Sequence, residues 1–382
     1  MPSFKIAIVK TIFWLPGFLR IGAGGTWPGH IILKIYPRFL HKYLDNFSKH
    51  LIYVSGTNGK TTTSFVLCSS LGFLGTPVVS NLSGANLLNG IASCVLKAAS
   101  LFGNLSTKSA VFEVDEAVLK KLISIKSPTH LILLNLSRDQ LDRYGEVDIT
   151  LEKWSEALGS AQNTVRVFYF SSNKYLLKLK KLVLNSNITF IPFGKTNDFV
   201  KTSLIGSYNQ INVNAVSSIL LDLGYKKRDI MNVLSLQKHA FGRGESFLVN
   251  GITATTLLAK NPASFNNNLK LLILIKTEYN VLFVLNDNIP DGKDVSWIYD
   301  IKSSLLKKVC SCAKNVYVSG SRAFDFALRL KIAGVNTNSL VVSKNLNLII
   351  KKAILCKENL YIFPTYSAML KTRKILIGRK IF

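Results

Sequence analysis

The chain has 382 residues, 48% of them hydrophobic and 18% charged, which excludes a disordered polymer and leaves apolar residues for more than one core. Lys and Arg number 48 against 21 Asp and Glu, a formal charge of +27, so anionic partners are expected: phosphates, an acidic membrane face or nucleic acid. The five cysteines, Cys68, Cys94, Cys310, Cys312 and Cys356, are odd in number and irregular in spacing, which argues against a disulfide framework and for a reducing compartment.

Residues 4–19 are apolar but broken by Lys10 and Pro16 and closed by Arg20. They match neither a spanning helix nor a cleavable leader. They read as a core helix, with an interfacial helix as the alternative, because residues 1–50 hold seven Lys or Arg and one acid, Asp45. Leu51–Val54 reads as a strand entering a glycine loop and a helix. Pro77–Ser80, Ala110–Val114 and Leu131–Asn135 are short apolar runs without polar alternation, the pattern of strands buried on both faces of a parallel sheet. Strands alternating with helical patterns predict an α/β layer fold. Phe241-Gly242-Arg243-Gly244 reads as a boundary, because strand patterning restarts at Ser246. Domains are therefore expected over 1–245 and 246–382. In the second, Val281–Leu285 and Asn315–Val318 read as strands and Arg322–Ala333 as a helix. Residues 301–382 carry sixteen Lys or Arg against Asp325 and Glu358.

The strongest motif is Gly56-Thr57-Asn58-Gly59-Lys60-Thr61-Thr62-Thr63. Glycines let successive backbone N–H groups face phosphate oxygens. The helix N-terminus that follows favours negative charge, Lys60 adds a cation, and Thr61 or Thr62 offers a hydroxyl to magnesium. The usual spacing would place a glycine at position 54, where this chain has Val54. An ordinary turn with a helix cap is the alternative, but strand, loop, Gly-Lys-Thr-Thr and helix stand in the order a phosphate loop requires.

The shorter G-T-x-G-K-T-T form is similar to that of the Mur ligase and folylpolyglutamate synthase superfamily. Asn135-Leu136-Ser137-Arg138-Asp139-Gln140-Leu141-Asp142-Arg143 resembles its segment after a central strand. Gly206-Ser207-Tyr208-Asn209-Gln210-Ile211-Asn212 resembles its adenine segment, with Tyr208 where the superfamily has His, and Gly242-Arg243 resembles its closing pair. Asn81-Leu82-Ser83-Gly84-Ala85-Asn86, Glu113-Val114-Asp115-Glu116-Ala117, Leu258-Ala259-Lys260-Asn261-Pro262-Ala263, Asp291-Gly292-Lys293-Asp294-Val295-Ser296-Trp297 and Pro364–Leu370 narrow this to a resemblance with the MurT family, the ligase-type subunits of lipid II isoglutaminyl synthase. It runs from about Gly25 to about Leu370.

The resemblance implies a Mur-ligase-type central domain with a parallel sheet and a smaller α/β C-terminal domain. It implies ATP and Mg2+, and amidation of the D-glutamate α-carboxyl of the lipid II stem peptide to D-isoglutamine through an acyl phosphate, in peptidoglycan synthesis. Ammonia would come from a GatD-like glutaminase subunit in a heterodimer, because no Cys or His here has a nucleophile's context. The chain is expected to be cytoplasmic, at the inner face of the plasma membrane, without nucleic acid. No structural zinc is expected: some MurT proteins carry a four-cysteine ribbon, but Phe168 to Phe193 has no cysteine and Tyr175–Leu184 is a Lys- and Leu-rich helical run.

For the site, Gly56, Thr57, Asn58, Gly59, Lys60, Thr61 and Thr62 would cradle phosphates, and Thr61 and Glu113 would hold magnesium, Glu113 because it ends a strand of an open α/β sheet. Glu116 is a weaker candidate ligand, and capping acids at a helix start are the alternative for both. Asn209 would meet adenine and Arg243 phosphate or ribose. Asn81, Ser83 and Asn86 either face the muropeptide or cap a helix. Gln140 stands where many Mur ligases have a His that helps a second magnesium, and Lys153 is off the spacing of their carbamylated lysine. Asp294 would orient the partner's catalytic imidazole, with Asp291 and Asp300 as runners-up and a plain turn around Gly292 as the alternative. Competing readings are an amino-acid-adding ligase of the Mur or folylpolyglutamate type and a basic nucleic-acid-binding ATPase.

Overall fold

The computed structural model describes Ile6, Lys10 and residues 26–81, 84–136, 147–194, 202, 207–237, 242–338 and 340–378. Nearly all of the expected helix over 4–19, with Ser83 and the Arg138–Glu146 segment, lies outside these residues. The described residues form two compact units, one ending at residue 237 and one beginning at residue 242.

The first unit is a six-stranded sheet: β1 His50–Ser55, β2 Val79–Ser80, β3 Ser109–Glu113, β4 His130–Leu133, β5 Val165–Phe170 and β6 Ile188–Phe193. The order is β2-β3-β1-β4-β5-β6, with every neighbouring pair parallel. The central strands are apolar throughout because both faces are covered: all of β3 and β4 is buried. Tyr53, Phe112, Leu133 and the fully buried Trp154 belong to one core. β2 is shorter than the Pro77–Ser80 run, as only Val79 and Ser80 pair with β3. β4 stops at Leu133, before the expected Asn135, because Leu134 and Asn135 turn onto the glycine loop. The Lys- and Leu-rich run forms the helix Lys174–Leu182, started by Asn173, whose side chain accepts from the N–H groups of Tyr175 and Leu176.

Strand order sets the position of the loop. β1 lies between β3 and β4, with Val54 level with Glu113 and Ser55 level with Leu133. The residues after β1, β3 and β4 therefore emerge at one edge, the place where open α/β sheets bind ligands.

The second unit is also a six-stranded sheet: β7 Arg243–Val249, β8 Ile252–Leu257, β9 Tyr279–Val284, β10 Asn315–Ser319, β11 Leu340–Val342 and β12 Asn359–Pro364, ordered β11-β10-β9-β12-β8-β7. All neighbours are parallel except β7 and β8. These two form a hairpin through Asn250 and Gly251, both at positive φ (49° and 81°), the pair of residues that tolerates such a turn. The hairpin moves the strand start from the expected Ser246 to Arg243. Phe265, Phe283, Phe326 and Phe363 pack with ring centroids 5.0 to 5.8 Å apart at the core of this unit.

Candidate active site

Gly56-Thr57-Asn58-Gly59 links β1 to the helix Lys60–Phe73. Gly56 and Gly59 hold φ of 136° and 91°, and a Cβ on Gly56 would fall 2.8 Å from the Asn135 carbonyl oxygen. Asn135 fixes the loop from the end of β4. Its carbonyl accepts from Thr57 N at 3.0 Å, its Oδ1 from Asn58 N at 2.9 Å, and its Nδ2 donates to Asn58 O at 2.8 Å. A Cβ on Gly59 would meet Asn212 Oδ1 at 2.4 Å, so the helix Ser207–Asp222 lies against the loop. Asn209 and Asn212 are both buried, and Asn212 Nδ2 donates to Asn209 Oδ1 at 3.4 Å.

Lys60 is 5% exposed. Its Nζ donates to Glu116 Oε2 at 2.8 Å and to Gly56 O at 2.6 Å. Burial alone would depress its pKa, but Glu116, Asp115 and Glu113 outweigh that and hold it above the ordinary lysine value. The expected ligand Glu113 is buried at the end of β3. Asn81 brackets its backbone, with Oδ1 accepting from Glu113 N at 2.9 Å and Nδ2 donating to Glu113 O at 2.8 Å. Asn86 Nδ2 donates to Glu113 Oε1 at 3.2 Å. Among the described residues, Oε2 of Glu113 is buried without a hydrogen-bond partner. An anionic oxygen left unsatisfied inside a protein is costly, and it fits a bound cation. Glu116 is held by Trp154, whose Nε1 donates to the Glu116 carbonyl at 3.0 Å.

The first unit thus brings together the loop, Lys60, Glu113, Asn81, Asn86 and Asn209. Thr61 and Thr62 occupy the first turn of the helix that Lys60 opens. Lys153 is exposed on the helix Val147–Gly159. The Arg243 side chain, Asp139, Gln140 and Asp142 lie outside the described residues. Sequence reasoning misses the clamp by Asn135, which it reads only as part of a motif, and the pairing of Glu116 with Lys60. The acidic run Glu113-Val114-Asp115-Glu116 in a chain poor in acids was the available signal.

In the second unit Asp294 is exposed. Ser296 N donates to its Oδ1 at 2.8 Å and Ser296 Oγ to its Oδ2 at 2.9 Å, which lowers its pKa. The next turn, Ser296–Asp300, is fastened by the buried Arg329, whose Nε donates to Ile298 O at 2.8 Å and whose Nη2 donates to Ile301 O. Asp291 is buried and committed: Ser367 N donates to its Oδ1 at 2.7 Å, and Ser367 Oγ to its Oδ2. Its carboxylate caps the first turn of the helix Tyr366–Ile377.

Residues 54–218 match the Mur ligase middle domain family, and residues 258–369 the MurT ligase C-terminal family. The chain is 26% identical to the lipid II isoglutaminyl synthase (glutamine-hydrolyzing) subunit MurT of Staphylococcus aureus, over 91% of this chain and 92% of that protein. It is 26% identical to the subunit of the same name from Streptococcus pneumoniae, over 95% and 94%. Among solved structures, MurF from Acinetobacter baumannii superposes with a TM-score of 0.70 at 16% identity, covering 89% of this chain and 78% of that one. Mycobacterium tuberculosis folylpolyglutamate synthase complexed with ADP superposes with a TM-score of 0.66 at 14% identity, covering 90% and 95%. Both share the fold.

Proposed function

We propose that this chain is a Mur-ligase-type enzyme of the MurT branch, which its matches over residues 54–218 and 258–369 support, and that it amidates the α-carboxyl of D-glutamate in the lipid II stem, using ATP and ammonia from a GatD-like glutaminase subunit. The observation that carries the reading is the buried Lys60, set beside Glu113, Asp115 and Glu116 at the edge where β1 and β3 end.

A carboxylate repels nucleophiles, so it needs activation. Transfer of the ATP terminal phosphate to a carboxylate oxygen gives an acyl phosphate. Ammonia adds to its carbonyl carbon, and collapse of the adduct expels phosphate and leaves the amide. Positioning and charge neutralisation do most of the work in phosphoryl transfer. The N–H groups of Gly56–Lys60 would bind phosphate oxygens, and the Lys60 ammonium would leave Glu116 to meet them. Magnesium, when bound, neutralises phosphate charge; Glu113, through its unpartnered Oε2, and Thr61 would hold it. Asn81 and Asn86 keep the Glu113 carboxylate aimed. Asn209 would face adenine, and Arg243 phosphate or ribose.

Asp294 would serve the partner. Its exposure and lowered pKa suit an acid that stays ionised while it orients a histidine across an interface. Asp300, also exposed, and the buried Asp291 are the alternatives.

The test uses the chain with its glutaminase partner, ATP and lipid II. Lys60→Ala removes amidation with glutamine and with ammonia, and retained activity on either source overturns the loop's role. Asp294→Asn loses glutamine-driven amidation and keeps the ammonia-driven reaction. Equal loss of both overturns the assignment of Asp294. A requirement for a free amino acid in place of ammonia would show an amino-acid-adding ligase instead.

A further inference from the structure

The first unit has an outer face that the proposed chemistry does not use. The helix Trp27–Ile35 lies on the helix Leu88–Ala98 so closely that Gly29 N donates to Ser93 Oγ at 2.7 Å, and a Cβ on Gly29 would fall 1.8 Å from the Asn89 carbonyl oxygen. In the turn that follows the second helix, the side chains of Tyr43 and Ile6 close on Gly103. On these two helices and the turns that flank them, Trp27, Ile35, Leu87, Leu101 and Phe102 are 53%, 41%, 38%, 57% and 80% exposed. The turn is pinned from within: Ser100 N donates to Asn104 O at 2.7 Å, Gly103 N to Ser100 O at 3.0 Å, and Asn104 N to Ser100 Oγ at 3.0 Å. Leu101 and Phe102 are therefore held outward by a closed hydrogen-bonded turn.

The charge on this part of the chain has one sign. Residues 1–112 contain ten Lys or Arg and a single acid, Asp45. That carboxylate is taken by Lys126 at 2.6 Å. Lys34, Lys42, Lys97 and Lys108 of this part of the chain are exposed.

We propose that this face is a docking surface for an anionic lipid bilayer. Projecting Leu, Phe and Trp side chains interspersed with lysines are what an acyl–headgroup boundary receives, the apolar groups entering it and the ammonium groups meeting acidic headgroups. Among the described residues no helix is long and apolar enough to cross a membrane. The inference rests on the lipid-linked acceptor of the proposed reaction and gives it an approach: the helix Leu88–Ala98 begins two residues after Asn86, which touches Glu113.

Flotation of the full chain with vesicles tests it. The chain binds vesicles of phosphatidylglycerol mixed with phosphatidylcholine, binds pure phosphatidylcholine far less, and is released by salt. The Leu101→Ser/Phe102→Ser variant binds the anionic vesicles about tenfold more weakly. Leu184→Ser, at the 91% exposed leucine of a different surface, binds like the parent. Equal binding to neutral vesicles, undiminished binding by the double variant, or retention on duplex DNA in place of vesicles overturns the proposal. Amidation of a water-soluble D-glutamyl stem peptide is read in parallel. If that reaction proceeds without vesicle binding, docking fails and the proposed function stands. If vesicles bind and no acceptor is amidated, docking stands and the proposed function fails.

Discussion

Asn135 is the residue whose removal most directly tests how the proposed phosphate loop is held. Its side chain supplies two hydrogen bonds to Asn58, while its carbonyl bond to Thr57 survives substitution. Asn135→Ala is expected to cost about 1–3 kcal/mol of loop order, seen as roughly tenfold weaker ADP binding by calorimetry, with a small fall in melting temperature. Unchanged affinity would show that the glycines alone shape the loop. The loop itself was legible in the sequence, because phosphate binding needs Gly, Lys and Thr at fixed local spacing. Asn135 and Glu116 were not, because they act on residues 77 and 56 positions away, and only the strand order brings them there. Asp291 shows the converse. It reads in the sequence as a runner-up to Asp294 beside a glycine turn, but its contacts with Ser367, 76 residues on, make it a buried helix cap.

At the scale of elements, the central strands were legible because burial on both faces requires unbroken apolar runs. Their ends were not, as at β4, where tertiary contacts of Asn135 decide. The start of β4 carries a second tertiary effect. His130 stacks on Phe168 and lies 3.3 Å from Asp222, which also pairs with Arg166. Burial lowers its pKa from 6.5 to about 4; Asp222 opposes that shift, and His50 reinforces it. The fold therefore favours the neutral ring. This contribution to stability is complete above about pH 6.5 and is lost as the pH falls toward 4. Melting temperatures across that window should fall more steeply for the parent than for His130→Asn. Parallel curves would show that the imidazole stays as easily protonated as in the unfolded chain. In the second unit the Ser296–Asp300 turn is fixed by Arg329, so the position of Asp294 depends on a cation that the sequence places 35 residues away in a plain helical run.

At the scale of the molecule, the charge of +27 invites a nucleic-acid reading, but its distribution is more informative than its sum. The near-absence of acids before Glu113 makes the Glu113-Val114-Asp115-Glu116 cluster an isolated negative site facing one buried lysine. The outer face of the same unit keeps its lysines exposed. Composition disclosed the excess; only the fold separates the lysine buried at the glycine loop from the lysines that meet solvent. The central claim is that a phosphate held by the Gly56–Lys60 turn is handed to a carboxylate. Turnover of lipid II carrying heavy oxygen in the D-glutamate α-carboxyl, with ATP and ammonia, tests it most directly. The account predicts one heavy oxygen atom in each phosphate released, since that oxygen bridges carbon and phosphorus in the acyl phosphate. Amide formed with no heavy oxygen in the phosphate would contradict it.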